Sequence, residues 1–284
     1  MPLSLIVAVT LTAFAANSLL CRMALGDHLI DPVTFTVLRL GSGAAVLIAL
    51  SRFSSEPETH GSHGSWGSAL SLFAYAMAFS LAYISLTTGM GVLILFGAVQ
   101  LTMIGFGLLA GERLRVVQWF GLIIALAGLG WFVSPGLAAP DPVGAMLMGV
   151  SGFAWGCYSI RGKGAPAPVK ATTGNFVRTL PMVIIAAAVI LNSVQAEPTS
   201  IVLAIVSGSI TSALGYVLWY HVLREMATTR AAVLQLLVPI IAAMGGIIFL
   251  SEAASIRLLD AGRCRSCRGE TRELLLTRPT TIET

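Results

Sequence analysis

Apolar residues run along this chain in long blocks separated by short polar links. The blocks lie near Leu3–Met23, Pro32–Ser51, Trp66–Thr87, Val92–Ala110, Val116–Val133, Gly144–Ile160, Thr173–Leu191, Ile201–Leu223 and Ala231–Leu250. A helix of about 20 apolar residues crosses a hydrocarbon core of ~30 Å. Backbone groups in lipid must be satisfied within the segment, so each block is predicted to be a helix rather than a strand. Only residues 52–65, 134–143 and 161–172 link the blocks by more than a tight turn. Leu3–Ala16 has the length of a signal-peptide core, and Ala13-Phe14-Ala15 resembles a cleavage site. No Lys or Arg precedes it, however, and the run continues to Leu20, so a first span is expected.

Composition agrees with this pattern. Of 284 residues, 56% are hydrophobic and 11% charged, against about 25% charged in a soluble domain. Too few charges remain to cover a water-facing surface. Disorder, a disulfide scaffold and a nucleic-acid-binding arm are excluded on the same ground. The expected partners are therefore a lipid bilayer and a small-molecule solute, with no nucleic acid. Residues 257–284 change character, with six arginines and four acids.

Basic residues set an expected orientation. With the N-terminus in the cytoplasm, the inner loops hold Arg52, Arg113, Arg115, Arg161, Lys163, Lys170, Arg224 and Arg230, and the outer loops only Arg22.

An internal repeat is legible at an offset of 139. Phe14-Ala15, Arg22 and Arg39 correspond to Phe153-Ala154, Arg161 and Arg178. Tyr83 and Tyr220, and Glu112 and Glu252, lie near that offset. Five spans per repeat is an odd number, so the two halves would be inverted in the bilayer, as in many secondary transporters. After Glu112 the first half continues into a full span. After Glu252 the second half reaches Leu259 and then turns to Asp-Ala-Gly-Arg-Cys-Arg-Ser-Cys-Arg. The expected fold is an all-α polytopic membrane protein of two inverted five-helix repeats, with the tenth helix missing or disrupted. A reading-frame shift near Leu259 or Asp260 would account for the loss.

These residues resemble the drug/metabolite transporter superfamily, in its ten-span group with two EamA domains. The resemblance rests on Ala110-Gly111-Glu112-Arg113-Leu114 followed by Gly121–Gly128, and on Leu250-Ser251-Glu252 with Pro239 before it. It rests also on Arg39 within Thr36–Leu40 and on Phe153-Ala154-Trp155-Gly156, whose counterpart Phe14–Asn17 lacks the Trp-Gly. It divides the chain into a first EamA-like repeat over 3–133, an incomplete second repeat over 144–259 and an aberrant polar tail over 260–284. It implies transport of small metabolites, often as export, from a bacterial inner membrane, with a homodimer among the expected assemblies.

Intramembrane arginines are costly and must face protein or a water-filled cavity. Arg39 and Arg178 are read either as a pair that binds an anionic group or as structural groups that each cap backbone carbonyls or bond a neighbouring helix. Asn17, Gln100 and Gln235 are read either as interhelical bonds or as solute contacts. Tyr83 and Trp155 offer rings with polar tips, and Gly152 and Gly156 set Trp155 on a small-residue face. Gly107–Gly111 is a second small-xxx-small stretch, and Pro239 with Gly245-Gly246 would weaken the ninth helix. Glu112 is expected to pair with Arg113 or Arg115 at a helix end. Trp219 and Tyr220 are equally readable as interface anchors. Cys264-Arg-Ser-Cys267 lacks the second ligand pair that zinc needs. No cofactor, metal or catalytic motif is expected.

The function read from the sequence is a secondary transporter that exports small organic metabolites, amino-acid-like, weakly anionic or amphipathic, by alternating access. The rival readings are an inactive truncated homologue or a non-transporting membrane scaffold. A membrane-embedded enzyme would need paired acids or a His cluster within the spans, which the sequence lacks.

Overall fold

A computed structural model of the chain describes residues 2–26, 28–56, 63–112, 119, 123, 140–190 and 194–250. The chain divides into two units, Met1–Ser251 and Glu252–Thr284. The second unit, and most of the expected fifth span, lie outside the described residues. So do Glu252, Cys264 and Cys267.

The described residues are helical. α1 is Leu3–Leu25, α2 Pro32–Arg52, α3 Trp66–Ala82, α4 Thr88–Leu109, α5 Pro142–Gly162 and α6 Pro168–Ile190. α7 (Pro198–Val206) runs through a π-helical segment (Ser207–Leu214) into α8 (Gly215–Arg224). α9 (Thr228–Gln235) and α10 (Leu237–Leu250) form the next span. Six spans are long and apolar enough to cross a membrane, and α3 is a shorter apolar helix. The eight expected blocks that fall on described residues are all helical. The third ends at Ala82, five residues earlier than the sequence reading, and the seventh begins at Pro168, five residues earlier.

Local signals account for the ends. Asp31, Ser65, Thr87 and Asp141 accept from backbone amides in the first turns of α2, α3, α4 and α5. Pro32, Pro142 and Pro198 open their helices, where a missing N–H costs nothing. α4 stops because Gly111 takes a φ of +85°. A side chain on Gly111 would meet nothing within 4 Å. Its role is therefore the turn and not the helix packing that the small-xxx-small pattern predicts. Gly107 does follow that pattern, with Thr229 close against it.

The bundle exposes apolar side chains outside and buries a few polar ones within its apolar core. Leu70, Met146, Phe153, Ile185, Ile248 and Phe249 are exposed, while Asn17, Arg39, Gln100 and Gln235 are buried. An exposed apolar girdle of this extent marks a lipid-facing surface. The halves interleave. α5 packs on α3 and α4, and α1 packs on α8 and α10. α3 packs on α6, α2 on the π segment, α2 on α6, and α4 on α9 and α10.

Loop contacts sort to two ends. At one end Ile30 pairs with Ala196, Arg22 donates to the Tyr83 carbonyl and Ser85 to Asp141. At the other, Glu56 accepts from the Val169 and Lys170 amides, and Glu112 meets Lys163 at 2.6 Å.

Candidate functional site

Two irregular helices deliver polar groups to the middle of the bundle. The first is the π segment Ser207–Leu214. π-Bulges are rare and frequent at functional sites. Here the widened turn faces Ser207, Thr211 and Ser212 toward α1, where Asn17 Oδ1 accepts from their hydroxyls at 2.8, 3.2 and 3.4 Å. The second is the span α9–α10, broken at Leu236. Pro239 cannot donate to the Gln235 carbonyl four residues back, which places the break. Discontinuous helices near the midplane are where transporters build sites.

Arg39 sits beside the first of these elements, fully buried on α2. Its Nε donates to Ser212 Oγ at 2.9 Å. One terminal nitrogen donates to Tyr216 OH at 2.7 Å and to Tyr75 OH at 3.1 Å. The other lies 4.0 Å from Cys21 Sγ. The guanidinium also stands over the rings of Tyr75 and Phe79, at 5.2 and 5.3 Å. All of these partners are neutral groups. Among the described residues no carboxylate pairs with this charge.

Aromatic rings form a box beside it. Trp155 is 4.7 Å from Tyr216, 4.9 Å from Tyr75 and 5.2 Å from Phe14 by ring centroids. Its indole N–H donates to Gln235 Oε1 at 3.0 Å. Gln235 in turn reaches Met103 Sδ at 3.3 Å. Phe14, Ser18, Tyr75, Leu95, Phe96 and Trp155 enclose a cavity of about 10 Å3. That is room for one water, so the centre is closed in this conformation.

The structure thus brings Arg39 and Asn17 into one network through Ser212 and Tyr75, and joins Trp155 to Gln235 in the box beside it. Gln100 lies farther along α4. Its Nε2 donates to the Ala232 carbonyl, while its Oε1 has no hydrogen-bond partner among the described residues. Tyr83 packs on Phe79 at 4.7 Å, and the Arg39 guanidinium stands over that Phe79 ring. Arg178 stands apart. It is half-buried and donates to the His63 and Gly174 carbonyls. A Cβ on Gly174 would fall 1.7 Å from the His63 oxygen, so the glycine lets this loop reach α6. This geometry follows the carbonyl-capping alternative for Arg178.

Three groups escaped the sequence reading. Tyr75 and Tyr216 are each centred in an apolar span, far from any interface, which is the signal that could have found them. The π segment leaves no mark in composition. Trp219 and Tyr220, readable as interface anchors, are buried instead. Trp219 donates to Ser159 at 2.9 Å and Tyr220 accepts from Asn175 at 3.2 Å.

Glu112 pairs with Lys163; its expected partners Arg113 and Arg115 lie outside the described residues. Its oxygens also accept from the Thr228 and Thr229 amides at 3.1 and 2.9 Å, capping α9 from another loop. Burial opposes its ionisation, but the Lys163 ammonium and the two amides outweigh this and lower its carboxyl to about 2. Among the described residues no group of three or more His, Cys, Asp or Glu could hold a metal ion.

This geometry has relatives. Residues 142–259 match the EamA-like transporter family. The uncharacterized protein PA1977 of Pseudomonas aeruginosa is 42% identical over 257 residues, which span 90% of this chain and 89% of that protein. A protein of known crystal structure shares the fold at a TM-score of 0.64, with 19% identity over 88% of this chain and 91% of the other. The chain belongs to the family of the Pseudomonas protein, and its second half carries an EamA-like transporter domain.

Proposed function

We propose that the chain is a secondary transporter, moving a small organic metabolite by alternating access of two inverted repeats, 3–133 and 144–259. The observation that carries this reading is Arg39, a buried guanidinium with only neutral partners among the described residues, beside a nearly closed central cavity. A charge kept unpaired in a membrane bundle is a functional site by default. Its chemistry suits an amino-acid-like or weakly anionic solute, whose carboxylate would supply the missing countercharge. Arg39, Asn17, Trp155 and Gln235 would contact or frame the solute, with Gln100 and Tyr83 at its margin and Arg178 on its route.

The inverted arrangement is supported by the packing. Exchanging each helix with its expected counterpart turns the contact of α5 with α3 into that of α1 with α8, and the contact of α5 with α4 into that of α1 with α10. Both members of each pair occur. We place the N-terminus in the cytoplasm of a bacterium, with the Lys163 end inside and export as the direction. A homodimer is the proposed assembly.

A second reading is favoured by one observation. The family match stops at residue 259, where the sequence turns polar. An inactive truncated homologue, or a non-transporting membrane scaffold, would keep the fold without flux. Efflux from vesicles reconstituted with the purified chain, screened over metabolites of both charges, decides between them. Flux of amino-acid-like or monoanionic solutes supports the first. Absence of flux supports the second, and flux of cations alone overturns the solute assignment.

A further inference from the structure

A second cavity, of about 350 Å3, opens at the Lys163 end, outside the central site. Its wall includes Arg161, Lys163, Ser65, Ser68, Asn175 and Tyr220. Among the described residues no carboxylate lines it. Lys163 is matched by Glu112 and also donates to Thr228 Oγ1 at 2.8 Å. Arg161 has no hydrogen bond or ion pair among the described residues. Its guanidinium lies along the first turn of α3, where Gly67 leaves the space, since a Cβ there would stand 2.8 Å from a terminal nitrogen. Among the described residues the cavity therefore carries one uncompensated positive charge. A cleft of one sign between low-dielectric walls concentrates ions of the other.

The floor of this vestibule leads toward the centre. Asn175 donates to Tyr220 OH, and Tyr220 donates to the Tyr158 carbonyl at 3.4 Å. The Tyr220 ring lies 5.0 Å from Tyr158, which stacks on Trp155 at 5.4 Å. Tyr220, Tyr158 and Trp155 thus make a continuous ladder from the vestibule to the aromatic box beside Arg39.

We propose that this vestibule is a loading site for small monoanionic carboxylates, with Arg161 as the first contact and the Tyr220–Asn175 floor as the barrier to Arg39. One free guanidinium balances one negative charge, which favours a carboxylate over a phosphate dianion. The purpose assigned to the site rests on the transport reading. Its test does not.

The test places a thiol in the wall of the full-length chain, as Ala165→Cys, with Cys157, Cys264 and Cys267 replaced by Ser and the buried Cys21 retained. Modification rates are compared for a sulfonate-bearing and a trimethylammonium-bearing methanethiosulfonate. Relative to free cysteine in solution, the sulfonate reagent is expected to be favoured by about tenfold. Arg161→Gln should reduce that preference to about twofold or less. Lactate at millimolar concentration should slow modification with Arg161 present and not with Gln, and phosphate at equal ionic strength should protect less. Ser65→Cys, also in the lining, gives the same reading if the first variant does not fold. A preference indifferent to Arg161→Gln, a preference for the cationic reagent, or stronger protection by phosphate would overturn the proposal. An intact preference in a chain without flux overturns the transport reading and leaves the vestibule standing.

Discussion

The hydroxyls of Tyr75 and Tyr216 stand 3.2 Å apart, and one nitrogen of Arg39 donates to both. The two tyrosines come from opposite halves of the sequence, on α3 and α8. Arg39 therefore ties the halves together at the place where the central cavity is closed. A movement that separates Tyr75 from Tyr216 beside that cavity lengthens bonds in this group. A solute carboxylate arriving at the guanidinium would replace hydroxyl partners with a charged one, which is a differential interaction able to shift the equilibrium.

Removing one hydroxyl tests this link. Tyr216→Phe deletes the shortest bond to a buried charge, a contact of about 1.5–3 kcal/mol. Thermal unfolding of the purified chain in detergent should show a loss in that range for Tyr216→Phe and a smaller one for Tyr75→Phe, whose bond is longer. Equal stability for all three chains would contradict the assigned network.

Asn17 is the acceptor that gathers the π segment. Asn17→Ala leaves the Ser207, Thr211 and Ser212 hydroxyls without their shared partner, though Thr211 keeps a bond to the Ser207 carbonyl at 2.9 Å. A cost of about 1–3 kcal/mol is expected for stranding buried polar groups. Hydrogen exchange read by mass spectrometry should rise in 207–214 ahead of α1. Unchanged protection there would show that the π geometry does not depend on Asn17.

Small residues separate two kinds of glycine. A Cβ on Gly208 would lie 2.1 Å from the Arg39 carbonyl, which is backbone and cannot give way, whereas one on Gly41 would meet nothing within 4 Å. Gly208→Ala should destabilise by about 1–3 kcal/mol through overpacking. Gly41→Ala should be neutral or stabilise by up to ~1 kcal/mol, because alanine favours a helix interior. Melting temperatures of the two variants moving in the same direction would contradict the close approach of α2 and the π segment.

Glu112 gives a pH dependence of known sign. Its folded value, about 2, lies below the ordinary 4.5, so the folded chain binds this proton less readily than the unfolded one. Its contribution is fully present above pH 4.5 and is lost as the pH falls toward 2. The melting temperature of the native chain should therefore drop more steeply than that of Glu112→Gln between pH 5 and pH 3. Parallel curves would remove Glu112 from the cap on α9.

Much of this fold is legible in hydrophobic blocks, because length and apolarity decide what can cross a membrane. Pro32, Pro142 and Pro198 mark helix starts that the apolar window alone places two to three residues late or, for Pro32, correctly. The faces of the helices are less legible. In a helix apolar on all sides, periodicity does not tell a lipid-facing ring from a central one, and so Tyr75 and Tyr216 passed unnoticed while Arg39 and Asn17, too polar for lipid, stood out. Arg178 shows how a local contact departs from the repeat. The repeat makes it the counterpart of Arg39, yet Gly174 admits the His63 carbonyl, and that local contact takes the guanidinium. The π segment is a change of backbone pitch with no residue code of its own.

The most direct measurement is efflux of monoanionic amino-acid-like solutes from vesicles holding equal amounts of the native chain and of Arg39→Gln, with insertion checked in both. The account predicts flux through the native chain and a loss of about tenfold or more on removing the charge, since losing a charged hydrogen-bonding group costs about 1.5–3 kcal/mol. Equal flux through both chains would contradict it.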